Sequence, residues 1–179
     1  MDIYILHFDT SNIEPKILEK FCHKSFKNRQ KQLEHAFLYF MLDKILNEKY
    51  GVQDRILEFI DGKPFLNTRK LYFSLSHSGD FVVIAISKNN CGVDIEKIKV
   101  RDYKTISERM GFECASLKEF YKEWTKYEAN FKLGSKYKST KTAELENYVL
   151  TAVSENNDEE FQFYIQIREE FSKLTVWFY

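Results

Sequence analysis

The chain is poor in the residues that mark several protein classes. Its 3 cysteines, Cys22, Cys91 and Cys114, are odd in number and far apart, with neither a CxxC pair nor the spacing of a zinc site. That excludes a disulfide scaffold and leaves free thiols in a reducing compartment as the expectation. With 2 Pro, 6 Gly and no low-complexity stretch, nothing in the 179 residues reads as a flexible linker. A charge excess is missing as well: 27 Lys+Arg balance 27 Asp+Glu, so no global positive field exists to hold a nucleic acid, and any phosphate site must be local. The longest unbroken apolar run, Phe81 to Ile86, is too short to span a bilayer. MDIYILHFDT also lacks the basic and long apolar regions of a signal peptide. The expectation is a cytoplasmic, monomeric protein with neither nucleic-acid nor membrane partners.

What is present argues for a packed core. Hydrophobic residues make up 44% and aromatics 16%, which excludes intrinsic disorder and fits one large domain or two small ones. Ile3, Ile5 and His7 alternate with Tyr4, Leu6 and Phe8, the period of a strand buried on both faces. Pro15 suits the first turn of a helix. From Arg29 to Tyr50 the residues Leu33, Phe37, Phe40, Met41, Ile45 and Leu46 keep near-helical spacing, and Gly51 supplies the stop. Ile56 to Ile60 reads as a strand ending in the Asp61-Gly62 turn. Leu71 to Ser76 and Phe81 to Ser87 read as a strand pair around His77-Ser78-Gly79-Asp80, and Gly92 to Glu96 as a strand after the Asn89-Asn90 turn.

A second helix is announced by the capping box of Ser116 and Glu119 and runs to Gly134. Three tail strands are expected at Asn147 to Val153, Phe161 to Ile167 and Leu174 to Tyr179, as an antiparallel meander. The element order, strand, helices, strands, occurs twice. It suggests an α+β fold made of two packed halves, 1–90 and 91–179.

Within GVDIE, Asp94 and Glu96 stand at i and i+2, so on a strand both carboxylates share one face. Such a pair suits a hard divalent cation, which takes a few carboxylate oxygens and fills its shell with water and phosphate; it also suits a solvated strand face. On the second helix Trp124, Glu128 and Lys132 fall on one stripe, a spacing shared with ordinary surface ion pairs. Ser76-His77-Ser78-Gly79 interrupts two apolar strands with hydroxyl and imidazole groups that could meet a phosphate or simply make a turn. Gly62-Lys63-Pro64 lacks the P-loop pattern, and a turn is its default reading.

Taken in order, GKP at Gly62 to Pro64, FSLSHSGD at Phe73 to Asp80, GVDIE at Gly92 to Glu96 and WTKYEANFK at Trp124 to Lys132 resemble the 4'-phosphopantetheinyl transferases of the surfactin-synthetase-activating type. The resemblance covers the stretch from residue 62 to Gly134. It implies a pseudo-dimer of two α+β halves with the active site between them. It also implies an Mg²⁺-dependent (or Mn²⁺-dependent) transfer of the phosphopantetheine arm of coenzyme A to a serine of an apo acyl or peptidyl carrier protein, with release of 3',5'-ADP. By the same resemblance Asp94, Glu96 and Glu128 are the metal carboxylates and Lys132 contacts the phosphates. Lys63, Ser76 and His77 hold the nucleotide end, and Glu128, directly or through a water on the metal, removes the serine proton. The basic run Lys97, Lys99, Arg101 and Lys104 could steer an acidic carrier protein.

One departure stands out: Tyr127 occupies the position directly before the helix glutamate where the family usually has Lys or Arg. It motivates a rival reading, a catalytically impaired module that binds coenzyme A or a carrier protein. A Mg²⁺-dependent nuclease is a second rival, disfavoured by the neutral charge.

Overall fold

The computed structural model describes residues 1–11, 13–60, 62–167 and 170–173. Strand β1 (Asp2–His7) lies in the middle of a five-stranded sheet. On one side it pairs antiparallel with β5 (Phe81–Ser87), which in turn pairs antiparallel with β4 (Tyr72–Ser78). On the other side it pairs parallel with β9 (Gln162–Ile167), followed antiparallel by β10 (Glu170–Lys173). A second sheet of three antiparallel strands has the order β6 (Cys91–Lys97), β8 (Tyr148–Ser154), β7 (Ser139–Leu145). A small hairpin joins β2 (Leu57–Ile60) to β3 (Lys63–Leu66). The helices are α1 (Pro15–Glu19), α2 (Arg29–Tyr50), α3 (Tyr103–Met110) and α4 (Leu117–Leu133).

The two-residue period of β1 and β5 explains how the layers stack. Tyr4, Leu6, Val82, Ile84 and Ile86 pack against Phe37, Met41, Leu42 and Ile45 of α2. Their alternating neighbours Ile3, Ile5, Val83 and Ala85 pack against Val93, Ile95, Leu150 and Ala152 of the second sheet. Beyond that sheet, Val149 meets Phe120 and Tyr121 of α4, and Val153 meets Ala129 and Leu133. The order is therefore helix, sheet, sheet, helix, a mixed α+β architecture. Each fully buried Ile, Leu or Phe side chain contributes about 1.5–3 kcal/mol by leaving water.

The helix ends follow from their caps. Gly51 and Gly134 adopt the left-handed conformation that closes α2 and α4. At the start of α4, Ser116 Oγ accepts from the Glu119 amide while the Glu119 carboxylate accepts from the Ala115 amide.

The expected antiparallel meander of the tail does not form. Strand β8 pairs with β6 and β7, whereas β9 crosses back to the first sheet and lies parallel to β1. Both faces of β9 make apolar contacts: Phe163 and Ile165 join the core between the sheets, and Tyr164, between Gln162 and Gln166, stacks on Tyr4 at 5.1 Å on the α2 side. A strand of that kind gains most beside another buried strand. The third expected strand, Leu174 to Tyr179, lies outside the described residues. Lys63 and Pro64 belong to β3 instead of a turn, with Pro64 opposite Phe59 in a two-stranded ribbon where an absent N–H is tolerated. His77 and Ser78 extend β4 beyond the expected end at Ser76. Among the described residues no helix is long and apolar enough to cross a membrane, and Cys22, Cys91 and Cys114 are free thiols.

Candidate active site

Strands β4 and β6 are edge strands of different sheets that run side by side and in parallel. Side chains, not a backbone ladder, join them. The amides of Val93, Ile95 and Lys97 donate to the hydroxyls of Ser74, Ser76 and Ser78 at 3.0, 3.2 and 3.0 Å, with a constant offset of 19 residues. This places the two strand carboxylates next to β4. Ser76 Oγ donates to Asp94 Oδ1 at 2.7 Å, and Ser78 Oγ donates to Glu96 Oε2 at 2.9 Å.

Helix α4 covers the same face of β6. Its backbone at Ala129 and Leu133 lies against Gly92, which has no side chain to hold it off, and the same turn carries Glu128 and Lys132. Lys132 Nζ donates to Asp94 Oδ1 at 2.7 Å and to the Val93 carbonyl at 3.0 Å. Asp94 is 5% exposed, and its second oxygen, Oδ2, is buried without a hydrogen-bond partner. Thr125 Oγ1 and Thr151 Oγ1, 2.8 Å apart, pin α4 to β8 immediately beside Asp94, whose register partner is Thr151.

The charges in this cluster influence one another. Burial raises the Glu96 carboxyl above its ordinary pKa, the Ser78 hydroxyl offsets part of that, and the Asp94 charge adds to it. Burial raises Glu128 as well, with Asp94 reinforcing and Lys132 opposing the shift. Among the described residues no three His, Cys, Asp or Glu side chains stand close enough together to hold a metal ion as they are placed. The positive charge at Asp94 is supplied by Lys132.

The other expected site residues are distributed around this centre. His77 projects from the opposite face of β4 to Ser76, with Nδ1 3.5 Å from Glu34 Oε2 of α2. The surrounding protein holds its imidazole below the ordinary pKa, opposed by Glu34 and Asp94. Lys63 Nζ lies 3.3 Å from Asn90 Oδ1 and 3.5 Å from the Leu133 carbonyl at the end of α4, and burial depresses its pKa. It lines a cleft with Phe65, Arg69, Tyr72, Phe73 and Asn90. Asp94, Glu96, Glu128 and Lys132 are thus brought together, while His77 and Lys63 occupy two flanks. Of the basic run, Lys97 pairs with Asp80 at 2.8 Å and Arg101 lies over the rings of Phe120, Tyr121 and Trp124, whereas Lys99 and Lys104 are exposed. Tyr127 is 44% exposed and faces Phe112 and Trp124. Ser78, expected only as part of a polar tip that could meet a phosphate, holds Glu96, and Gly92, expected only as part of a strand motif, is where α4 comes close to β6.

A mixed α+β scaffold that sets Lys132 on the buried Asp94 and brings Glu96 and Glu128 within electrostatic reach of it offers the hard oxygen donors and the cation of sites that handle phosphate esters. No family model matches the chain. Two curated proteins do. One, from Haemophilus influenzae, is named "Putative 4'-phosphopantetheinyl transferase" and is 27% identical over 120 residues, covering 59% of this chain and 51% of its own length. The other, 4'-phosphopantetheinyl transferase gsp of Aneurinibacillus migulanus, is 31% identical over 114 residues, covering 58% of this chain and 44% of its own. The matches therefore span about half the length of these relatives. Over that stretch the chain is similar to the 4'-phosphopantetheinyl transferase superfamily.

Proposed function

We propose that this protein is a 4'-phosphopantetheinyl transferase that moves the phosphopantetheine arm of coenzyme A to a serine of an apo acyl or peptidyl carrier protein. The observation that carries this reading is the convergence of Asp94, Glu96, Glu128 and Lys132 at the junction of β4, β6 and α4, together with the similarity to two named transferases. On this reading residues 1–90 and 91–179 are the two halves of a pseudo-dimer, and the serine-bridged seam of β4 and β6 is where they meet.

In the reaction the serine Oγ of the carrier attacks the phosphorus bearing the pantetheine arm, the bond to 3',5'-ADP breaks, and the serine proton passes to a base. Glu128 takes that proton, directly or through an intervening water: its carboxylate makes no hydrogen bond among the described residues that would occupy it and lies near Asp94 and Lys132. Lys132 neutralises charge on the pyrophosphate, and its present partner Asp94 keeps it oriented. His77 and Lys63 flank the centre from two sides, as residues that hold the nucleotide and its 3'-phosphate would.

The chemistry of the donors suits a hard divalent ion: Asp94 Oδ2 is a buried carboxylate oxygen without a partner, and Glu96 and Glu128 each interact electrostatically with Asp94. Asp94, Glu96 and Glu128 would hold Mg²⁺, or Mn²⁺, which when bound would offset the charge of the pyrophosphate. Exposed Lys99 and Lys104 beside the centre suit an acidic carrier protein. A cytoplasmic location, where coenzyme A and carrier proteins meet, belongs to the same reading.

Glu128→Gln tests the role of the base. The amide keeps the shape of the side chain and cannot take a proton, so transfer should be abolished while the circular dichroism spectrum and melting temperature stay near wild type. Near-normal turnover in this variant would remove Glu128 from the reaction.

A further inference from the structure

Serines on an edge strand usually meet water or cap a turn. The three alternating serines of β4 are instead used inside the protein, with Ser74 and Ser76 only 5% and 6% exposed. Each accepts an amide of β6 that a neighbouring strand would otherwise satisfy, so hydroxyls stand in for a backbone ladder. A hydroxyl that has accepted still has one hydrogen to give. Ser76 gives it to Asp94 and Ser78 gives it to Glu96, in each case the residue just before the one whose amide it accepts. For Ser74 the corresponding residue is Gly92, which has no side chain to receive it.

We propose that Ser76 and Ser78 are positioning residues for the two strand carboxylates, a role that rests on the transferase reading of the same cluster. Each holds one oxygen of its carboxylate and leaves the second uncommitted, as Asp94 Oδ2 shows. Ser76 therefore acts through Asp94 and does not itself touch the nucleotide. Its one hydrogen is committed to Asp94 within the seam, on the face of β4 opposite His77, which leaves no donor for a phosphate oxygen.

The test compares Ser76→Ala with Ser74→Ala. Both remove a hydroxyl that accepts a β6 amide, and only the first removes a carboxylate partner. Each protein is assayed for kcat and for KM toward coenzyme A with an apo carrier protein, and separately for Mn²⁺ binding by water-proton relaxation. Ser76→Ala is expected to lower kcat and weaken Mn²⁺ binding by roughly tenfold or more, the scale on which supporting partners of metal ligands act, with KM for coenzyme A unchanged. Ser74→Ala should lose as much thermal stability and keep both readouts. Ser76→Thr, which retains the hydroxyl, should restore them, and Ser78→Ala repeats the comparison at Glu96 should Ser76→Ala not fold. A raised KM for coenzyme A with kcat kept would make Ser76 a nucleotide ligand and overturn the proposal. Equal losses in Ser74→Ala and Ser76→Ala would overturn it too, reducing the seam to a structural one. Failure of the wild type to turn over or to bind Mn²⁺ would instead overturn the transferase reading, and the positioning role with it.

Discussion

Gly92 of β6 lies directly against the Ala129 carbonyl of α4: a Cβ at position 92 would come within 2.0 Å of that oxygen and 3.0 Å of the Leu133 amide. Both obstacles are helix backbone, so neither can swing aside as a flexible side chain would. This contact sets how close α4 comes to β6, and hence where Glu128 and Lys132 sit relative to Asp94.

Gly92→Ala should accordingly push α4 off the sheet. Overpacking of this kind costs on the order of 3 kcal/mol when backbone must move. A shift of about 1 Å in catalytic side chains is enough to cost on the order of a hundredfold in rate. Urea unfolding and a transfer assay on the same preparation should show both effects. A variant as stable and active as wild type would mean that the close approach has no role in setting the site.

Lys132→Met removes the cation beside a carboxylate that is 5% exposed. Breaking a buried ion pair is expensive because the remaining charge is stranded, and partial exposure of the lysine moderates the loss to roughly 2 kcal/mol. The expected result in denaturant is a lower midpoint with an unchanged slope. An unaltered midpoint would show that Asp94 does not depend on Lys132.

His35 supplies a pH dependence of known sign. Its imidazole is pushed down to about 4, first by burial and then by Lys24, His23 and His77, and its Nε2 is buried without a partner. Because the folded value lies below the ordinary 6.5, the unfolded chain binds the proton more readily. The stabilisation is full above pH 6.5 and is lost as the pH falls toward about 4. His35→Phe, set among Phe26, His23 and Tyr39, should therefore lose less stability than wild type between about pH 7.5 and about pH 5. Parallel unfolding curves at the two pH values check this, and identical losses in both proteins would contradict it.

The parts of the fold legible in the sequence were those with local signals. Helices α2 and α4 carry apolar stripes and end at Gly51 and Gly134, and the strands with alternating or continuous apolar residues stand where their patterns put them. Strand β7 carries no apolar pattern, since STKTAEL sends only Ala143 fully into the core, and α3 carries none because it is short and buries only Ser107. The partner of β9 could not be read, since pairing between residues 2–6 and 162–166 leaves no mark in either segment. At the candidate site, spacing put Asp94 with Glu96 on one strand face and Glu128 with Lys132 on one helix stripe, each also compatible with an ordinary solvated surface, and only the resemblance of the four motifs joins them into one site. The serine seam was hidden because Ser76-His77-Ser78 looks like turn chemistry. Its signal was the alternation of Ser74, Ser76 and Ser78 with Phe73 and Leu75, just as a glycine inside an apolar strand signalled the close approach at Gly92.

The central claim is transfer of a phosphopantetheine arm, and intact-protein mass spectrometry of an apo carrier protein tests it most directly. The carrier is incubated with this protein, coenzyme A and Mg²⁺, with an EDTA control alongside. A transferase of this kind adds the mass of one phosphopantetheine, and the gain disappears with EDTA; an unchanged mass across acyl and peptidyl carrier proteins would rule the transfer out.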